Sequence, residues 1–72
     1  MREVRKVTRS LIASKLREYR GDTPRAEVAA AVGISLSALQ MYENGERLPR
    51  DQVKKALADF YHTTVGELFF DE

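Results

Sequence analysis

The chain has no cysteine, so neither disulfides nor thiolate metal ligands hold it together, as suits a reducing compartment. No apolar run has the length of a transmembrane span, and the first ten residues, MREVRKVTRS, lack the apolar stretch of a signal peptide. A cytoplasmic location with no membrane contact is expected. Apolar and polar residues do not alternate in the manner of a half-buried strand. Glycine-rich phosphate loops, paired-carboxylate clefts and nucleophile–base sets are also missing, so no enzymatic activity is expected. The one histidine, His62, has no second ligand in view, and neither a metal nor a cofactor is expected.

What remains is 72 residues, enough for one domain with a modest core. Its stability should be about 4–11 kcal/mol, from the usual value per residue. Net charge is only +1, but it is unevenly spread. Residues 1–25 carry eight basic side chains (Arg2, Arg5, Lys6, Arg9, Lys15, Arg17, Arg20, Arg25) against three acidic ones. Residues 26–72 carry four against eight. A basic front end on a near-neutral domain suits a polyanion, and it equally suits a solvated charged surface.

The apolar residues recur at helical spacing. Ile12, Leu16 and Tyr19 predict a helix from about Thr8 or Ser10 to Arg20. Thr23-Pro24 predicts the next start, with threonine as cap and proline at the first helical position. Val28, Ala29 and Val32 are its inward stripe, and Gly33 falls where a left-handed C-cap is needed. Ser35 is placed to cap a third helix that runs to about Tyr42–Asn44, with Leu39 at its inward centre. NGERLP reads as a loop, because Asn-Gly favours a turn and the residue before Pro49 avoids helical geometry. A fourth helix is predicted over about Arg50–Tyr61, with Val53, Leu57, Phe60 and Tyr61 inward. A short fifth begins at Thr64.

The spacing Ala29-x3-Gly33-x5-Leu39 has a physical reading. Two helices crossing steeply need a small residue where their backbones approach, a glycine where the chain turns through positive φ, and an apolar anchor one turn later. An ordinary αα-hairpin with no function on its surface satisfies the same pattern.

Further features match in register: Leu16-Arg17, Gly33-Ile34-Ser35, Tyr42-Glu43-Asn44-Gly45, Pro49 and the tail LADFYHTTVGELF. With these, the stretch from Ile12 to Phe69 resembles the Cro/phage-repressor (XRE-type) helix-turn-helix family. The resemblance implies an all-α, compact five-helix, lambda-repressor-like DNA-binding domain. Its helices 2 and 3 form the helix-turn-helix, and helix 3 enters the major groove of double-stranded DNA. Residues 1–8 would be a basic arm or the start of helix 1, and residues 9–72 the domain. Thr23, Pro24 and Arg25 stand where the family often has Ser or Thr followed by Gln.

With Leu39 at the core centre, steps of 100° put Tyr42 and Glu43 inward, and Ser37, Gln40, Met41 and Asn44 on the outer arc. Leu36 points sideways by this count, but the resemblance puts it at the base edges. Expected base contacts are therefore Leu36, Ser37, Gln40 and Met41. Thr23, Arg25, Ser35, Asn44, Arg47 and Arg50 are the expected phosphate contacts. By resemblance, Arg17 and Glu43 form a structural pair joining helix 1 to the end of helix 3, alongside the structural Ala29, Gly33 and Leu39. Phe69 and Phe70 together suggest a weak homodimer through the C-terminal helix, suited to a palindromic operator. A sequence-specific regulator, expected to be a repressor, follows. A restriction-system controller or antitoxin DNA-binding protein, and a protein-interaction module that retains the fold, stay open.

Overall fold

In the computed structural model, the backbone of residues 4–69 and the side chains of residues 9–69 are described. Arg2, Arg5, Lys6 and Phe70, which figure in the charge and dimer arguments, have side chains outside the described residues. Five helices follow one another: α1 (Val4–Arg20), α2 (Arg25–Val32), α3 (Leu36–Glu43), α4 (Asp51–Phe60) and α5 (Val65–Phe69). No strand occurs among the described residues, and no helix there is long and apolar enough to cross a membrane.

Helix α1 starts at Val4 rather than at Thr8 or Ser10. No glycine or proline interrupts residues 4–10, so nothing stops the helix from propagating toward the N-terminus. At its other end Arg17 and Arg20 lie in the last turn, where cations oppose the helix dipole. The start of α2 differs from expectation in another way. Pro24 itself is the N-cap, at φ −61° and ψ 140°, with no side-chain cap bond. Its extended ψ delays the helix to Arg25, and its carbonyl accepts from the Glu27 and Val28 amides at 3.0 and 3.3 Å. Thr23 therefore caps nothing, and its carbonyl accepts from Arg20 Nη1 at 3.0 Å.

The turn between α2 and α3 follows the expected chemistry. Gly33 has φ 86° and donates to the Ala29 carbonyl at 2.8 Å. A Cβ there would meet nothing within 4 Å, so the glycine is required by its dihedral and not by space. Ser35 Oγ accepts from the Ala38 amide at 3.0 Å, capping α3.

Ile12, Leu16, Val28, Ala29, Leu39, Tyr42, Leu57, Ala58, Leu68 and Phe69 form the core, with Val53, Phe60 and Tyr61 packed partly buried against it. Phe69 thus faces its own domain. Tyr19 does not complete the α1 stripe. Lying where α1 runs out, it is 41% exposed and stacks on Tyr61 with ring centroids 5.7 Å apart.

One charge is buried in this core. Glu43, the last residue of α3, has 0% exposure. Its Oε2 accepts from Arg20 Nε at 2.7 Å, and its Oε1 accepts from Arg25 Nε at 2.8 Å. The Glu43 hydrogen bond raises the pKa of Arg20 above its ordinary value, outweighing the opposite effect of burial. Arg17 is exposed and does not pair with this carboxylate; it donates to the main-chain carbonyl of Glu43 and to Ser14 Oγ. Arg17 thus joins α1 to the end of α3 as expected, but through the Glu43 main chain, and the carboxylate itself is held by a two-arginine clamp of Arg20 and Arg25. Arg17 and Arg20 both reach the end of α3, Arg17 at the Glu43 main chain and Arg20, at the end of α1, at the buried carboxylate.

Removing one side of a buried ion pair costs about 3–5 kcal/mol, against about 1 kcal/mol or less for an exposed one. In a domain of this size that converts to a loss of tens of degrees in Tm. Glu43→Ala should therefore melt far below the parent, whereas Arg17→Ala should shift Tm by only a few degrees. Equal shifts in thermal melts monitored by circular dichroism would show that the carboxylate is not the anchor.

Next to this clamp the Tyr61 hydroxyl is buried and has no hydrogen-bond partner among the described residues. Burial pushes its pKa up to about 12 from an ordinary 10.0, Glu43 adding to the shift and Arg20 opposing it. A folded-state pKa above the unfolded one gives stability that is complete below pH about 10 and lost as pH rises toward about 12. Tyr61→Phe should match or exceed the parent's Tm at neutral pH, since it removes an unsatisfied buried group. Its advantage should then widen between pH about 10 and 12. Parallel loss of Tm in both chains over that range would contradict this.

Candidate nucleic-acid interface

Helix α3 divides its residues between two tasks. Leu39, Tyr42 and Glu43 are buried, Ala38 and Met41 are half-buried, and Leu36, Ser37, Gln40 and Asn44 are exposed. Helical periodicity makes this separation: residues three and four apart share a face, so Ser37, Gln40 and Asn44 line up opposite Leu39. Leu36 is 44% exposed. Burial of an isobutyl group is worth about 2 kcal/mol, and the fold leaves that gain unused at the first residue of α3. Of the four residues expected at base edges, Leu36, Ser37 and Gln40 are open to solvent and Met41 is partly covered.

The six residues expected at phosphates fall into two groups. Ser35, Asn44, Arg47 and Arg50 are exposed around the two ends of α3 and the start of α4. Ser35 already serves the helix as its cap, and Asn44 is the C-cap of α3 through its backbone. Arg50 is the N-cap residue of α4, without a side-chain cap bond. The guanidinium groups of Arg47 and Arg50 have no hydrogen bond or ion pair among the described residues. Thr23 and Arg25 differ. Thr23 is half-buried, with its carbonyl engaged by Arg20, and Arg25 is tied to Glu43 while its side chain stays 35% exposed.

The structural residues lie around the turn. Ala29 and Leu39 are buried and Gly33 is left-handed. The residue missed by sequence reasoning is Arg20, which reaches Glu43 from the end of α1. A sequence signal existed. Arg20 and Arg25 bracket the turn GDTP, and a fully buried carboxylate with two oxygens seeks more than one donor. Leu48, 48% exposed in the loop before α4, was likewise not singled out. No group of three or more His, Asp or Glu side chains placed to hold a metal occurs among the described residues. The lone His62 is exposed, with φ 58° at the end of α4.

Two short helices set across a left-handed glycine, the second capped by serine and bearing an open polar arc, can lay that arc in a groove while helix ends and arginines meet the backbone. Searches of curated proteins and of solved structures gave no match. A family model described as helix-turn-helix matches residues 14–68, from within α1 to within α5 and well over half of the chain. The chain belongs to the XRE-type helix-turn-helix family, and it is a DNA-binding helix-turn-helix regulator.

Proposed function

We propose that this chain is a cytoplasmic transcriptional repressor that acts by occupying a palindromic operator, with no chemistry of its own. Helix α3 reads the major groove through Leu36, Ser37, Gln40 and Met41. Thr23, Arg25, Ser35, Asn44, Arg47 and Arg50 meet phosphates and set register without reading sequence. The observation that carries this reading is the open arc of α3, where Leu36, Ser37 and Gln40 are exposed although the helix is otherwise anchored in the core.

The arc has few polar groups, and this shapes the operator. Gln40 is the longest of them and can donate and accept at one adenine edge. Leu36 and Met41 suit thymine methyl groups, so half-sites should be rich in A·T pairs. A second reading, a protein-interaction module on the same fold, draws on the exposed Leu36 and Leu48. Such a module would have no use for a salt-dependent hold on duplex DNA.

Gln40→Ala should weaken the preferred site by about 1–3 kcal/mol and leave random duplex binding nearly unchanged. Arg47→Ala should weaken both alike and make the salt slope shallower by about one. Titrations of both variants on both DNAs at matched salt separate the roles. An equal loss on the two DNAs for Gln40→Ala would remove Gln40 from the reading face.

Two-fold operators call for two copies of the chain, and we assign the contact to a weak homodimer through α5. Such a dimer would place the two recognition helices about 34 Å apart, one turn of DNA. Because Phe69 is buried in its own core, the contact cannot rest on that ring. Sedimentation should show two copies on a palindromic duplex at high protein concentration. A single copy there, and a monomer when free, would refute the dimer.

A further inference from the structure

Two arginines share the Glu43 carboxylate, but they are not equivalent. Arg20 is only 17% exposed and is held inside the fold at two nitrogens, Nε on Glu43 Oε2 and Nη1 on the Thr23 carbonyl. Arg25 takes the other oxygen through Nε at 2.8 Å, remains 35% exposed, and its Nη groups have no partner among the described residues. Neutralising one carboxylate needs one cation, so the three groups together carry a charge of +1. That surplus is on the more exposed member.

We propose that Glu43 is a positioning residue for DNA affinity: it holds the guanidinium of Arg25 by one edge so that the paired Nη groups are pre-oriented for a backbone phosphate. This rests on the reading of the chain as a duplex-DNA binder with Arg25 at a phosphate. A bidentate guanidinium–phosphate contact is planar and directional, so fixing the plane in advance removes most of the ordering cost. The local backbone supports the same use. Arg25 is the first residue of α2, and that helix begins without a side-chain cap; Glu27 and Val28 already donate to the Pro24 carbonyl, so in the first turn it is the Arg25 and Ala26 amides that add to the positive end of the helix beside the arginine. A flexible arginine at this position would have to be ordered on each encounter. Here the fully buried acid at the end of α3 has already ordered it.

The sign of one substitution separates positioning from plain structure. Glu43→Gln removes a negative charge near the interface, so electrostatics alone makes the variant bind DNA more tightly. Positioning predicts the opposite, a loss of about two- to tenfold on random and preferred duplexes alike, the ordering cost of one long side chain. In an Arg25→Ala background the same substitution should produce no further loss. Arg25→Lys, which keeps the charge but lacks the planar fork, should bind about two- to tenfold more weakly than the parent while leaving the salt slope unchanged. The full chain and its variants are titrated with random duplex DNA at two salt concentrations, at a temperature where circular dichroism shows each to be fully helical. Should Glu43→Gln prove unfolded, Arg25→Lys carries the test on the exposed side of the clamp. Parent-like affinity of Arg25→Lys, or unchanged or tighter binding by folded Glu43→Gln, would overturn the proposal. Absence of salt-dependent binding by the parent chain would instead overturn the DNA-binding reading beneath it.

Discussion

The carboxylate of Glu43 is the one interaction on which the rest of the domain depends. It is fully buried, and an ion removed from water costs several kcal/mol unless its partners replace the lost solvent. Arg20 and Arg25 do so, from either side of the turn that joins α1 to α2. One side chain thereby fastens the last residue of α1, the first of α2 and the last of α3. The main-chain carbonyl of the same residue takes Arg17 as well. With a core this small, apolar burial alone would leave those three helix ends weakly defined in direction, whereas a paired charge has narrow geometry.

The constraint also sets what α3 presents. Leu39 and Tyr42 bury one side of the helix and Glu43 pins its end, so the 3.6-residue period leaves Ser37, Gln40 and Asn44 no choice but to face solvent. Ser35 closes the other end by accepting from Ala38. A helix held at both ends and along one side is a rigid reading head, which lowers the ordering cost of each base contact.

Much of this was legible in the residues themselves. Helical spacing and turn chemistry identified five helices, the left-handed Gly33, the Ser35 cap and the inward Leu39 without reference to distant contacts. What was not legible depended on direction in three dimensions. Whether Arg17 or Arg20 reaches the Glu43 carboxylate is decided by where α1 ends relative to α3, and the motif's arginine, Arg17, meets the main-chain carbonyl instead. Thr23 looked like a cap because its type is right, yet the ψ of Pro24 postponed the helix by one residue. Tyr19 continued the α1 stripe by count, but the helix ran out and left its ring on Tyr61. For the interface, the exposure of Ser37, Gln40 and Asn44 followed from period alone, whereas Leu36, sideways by count, is open to solvent and Met41, outward by count, is half-buried. The tether on Arg25 did not follow from period, since it spans eighteen residues of sequence.

Titration of the chain with random duplex DNA at a series of salt concentrations tests the central claim most directly, because it asks whether the arginines around α3 meet phosphates at all. With Arg25, Arg47 and Arg50 engaged, the logarithm of affinity should fall against the logarithm of salt with a slope of about −3 per bound copy. Binding that is absent, or that does not change with salt, would contradict a DNA interface on this face.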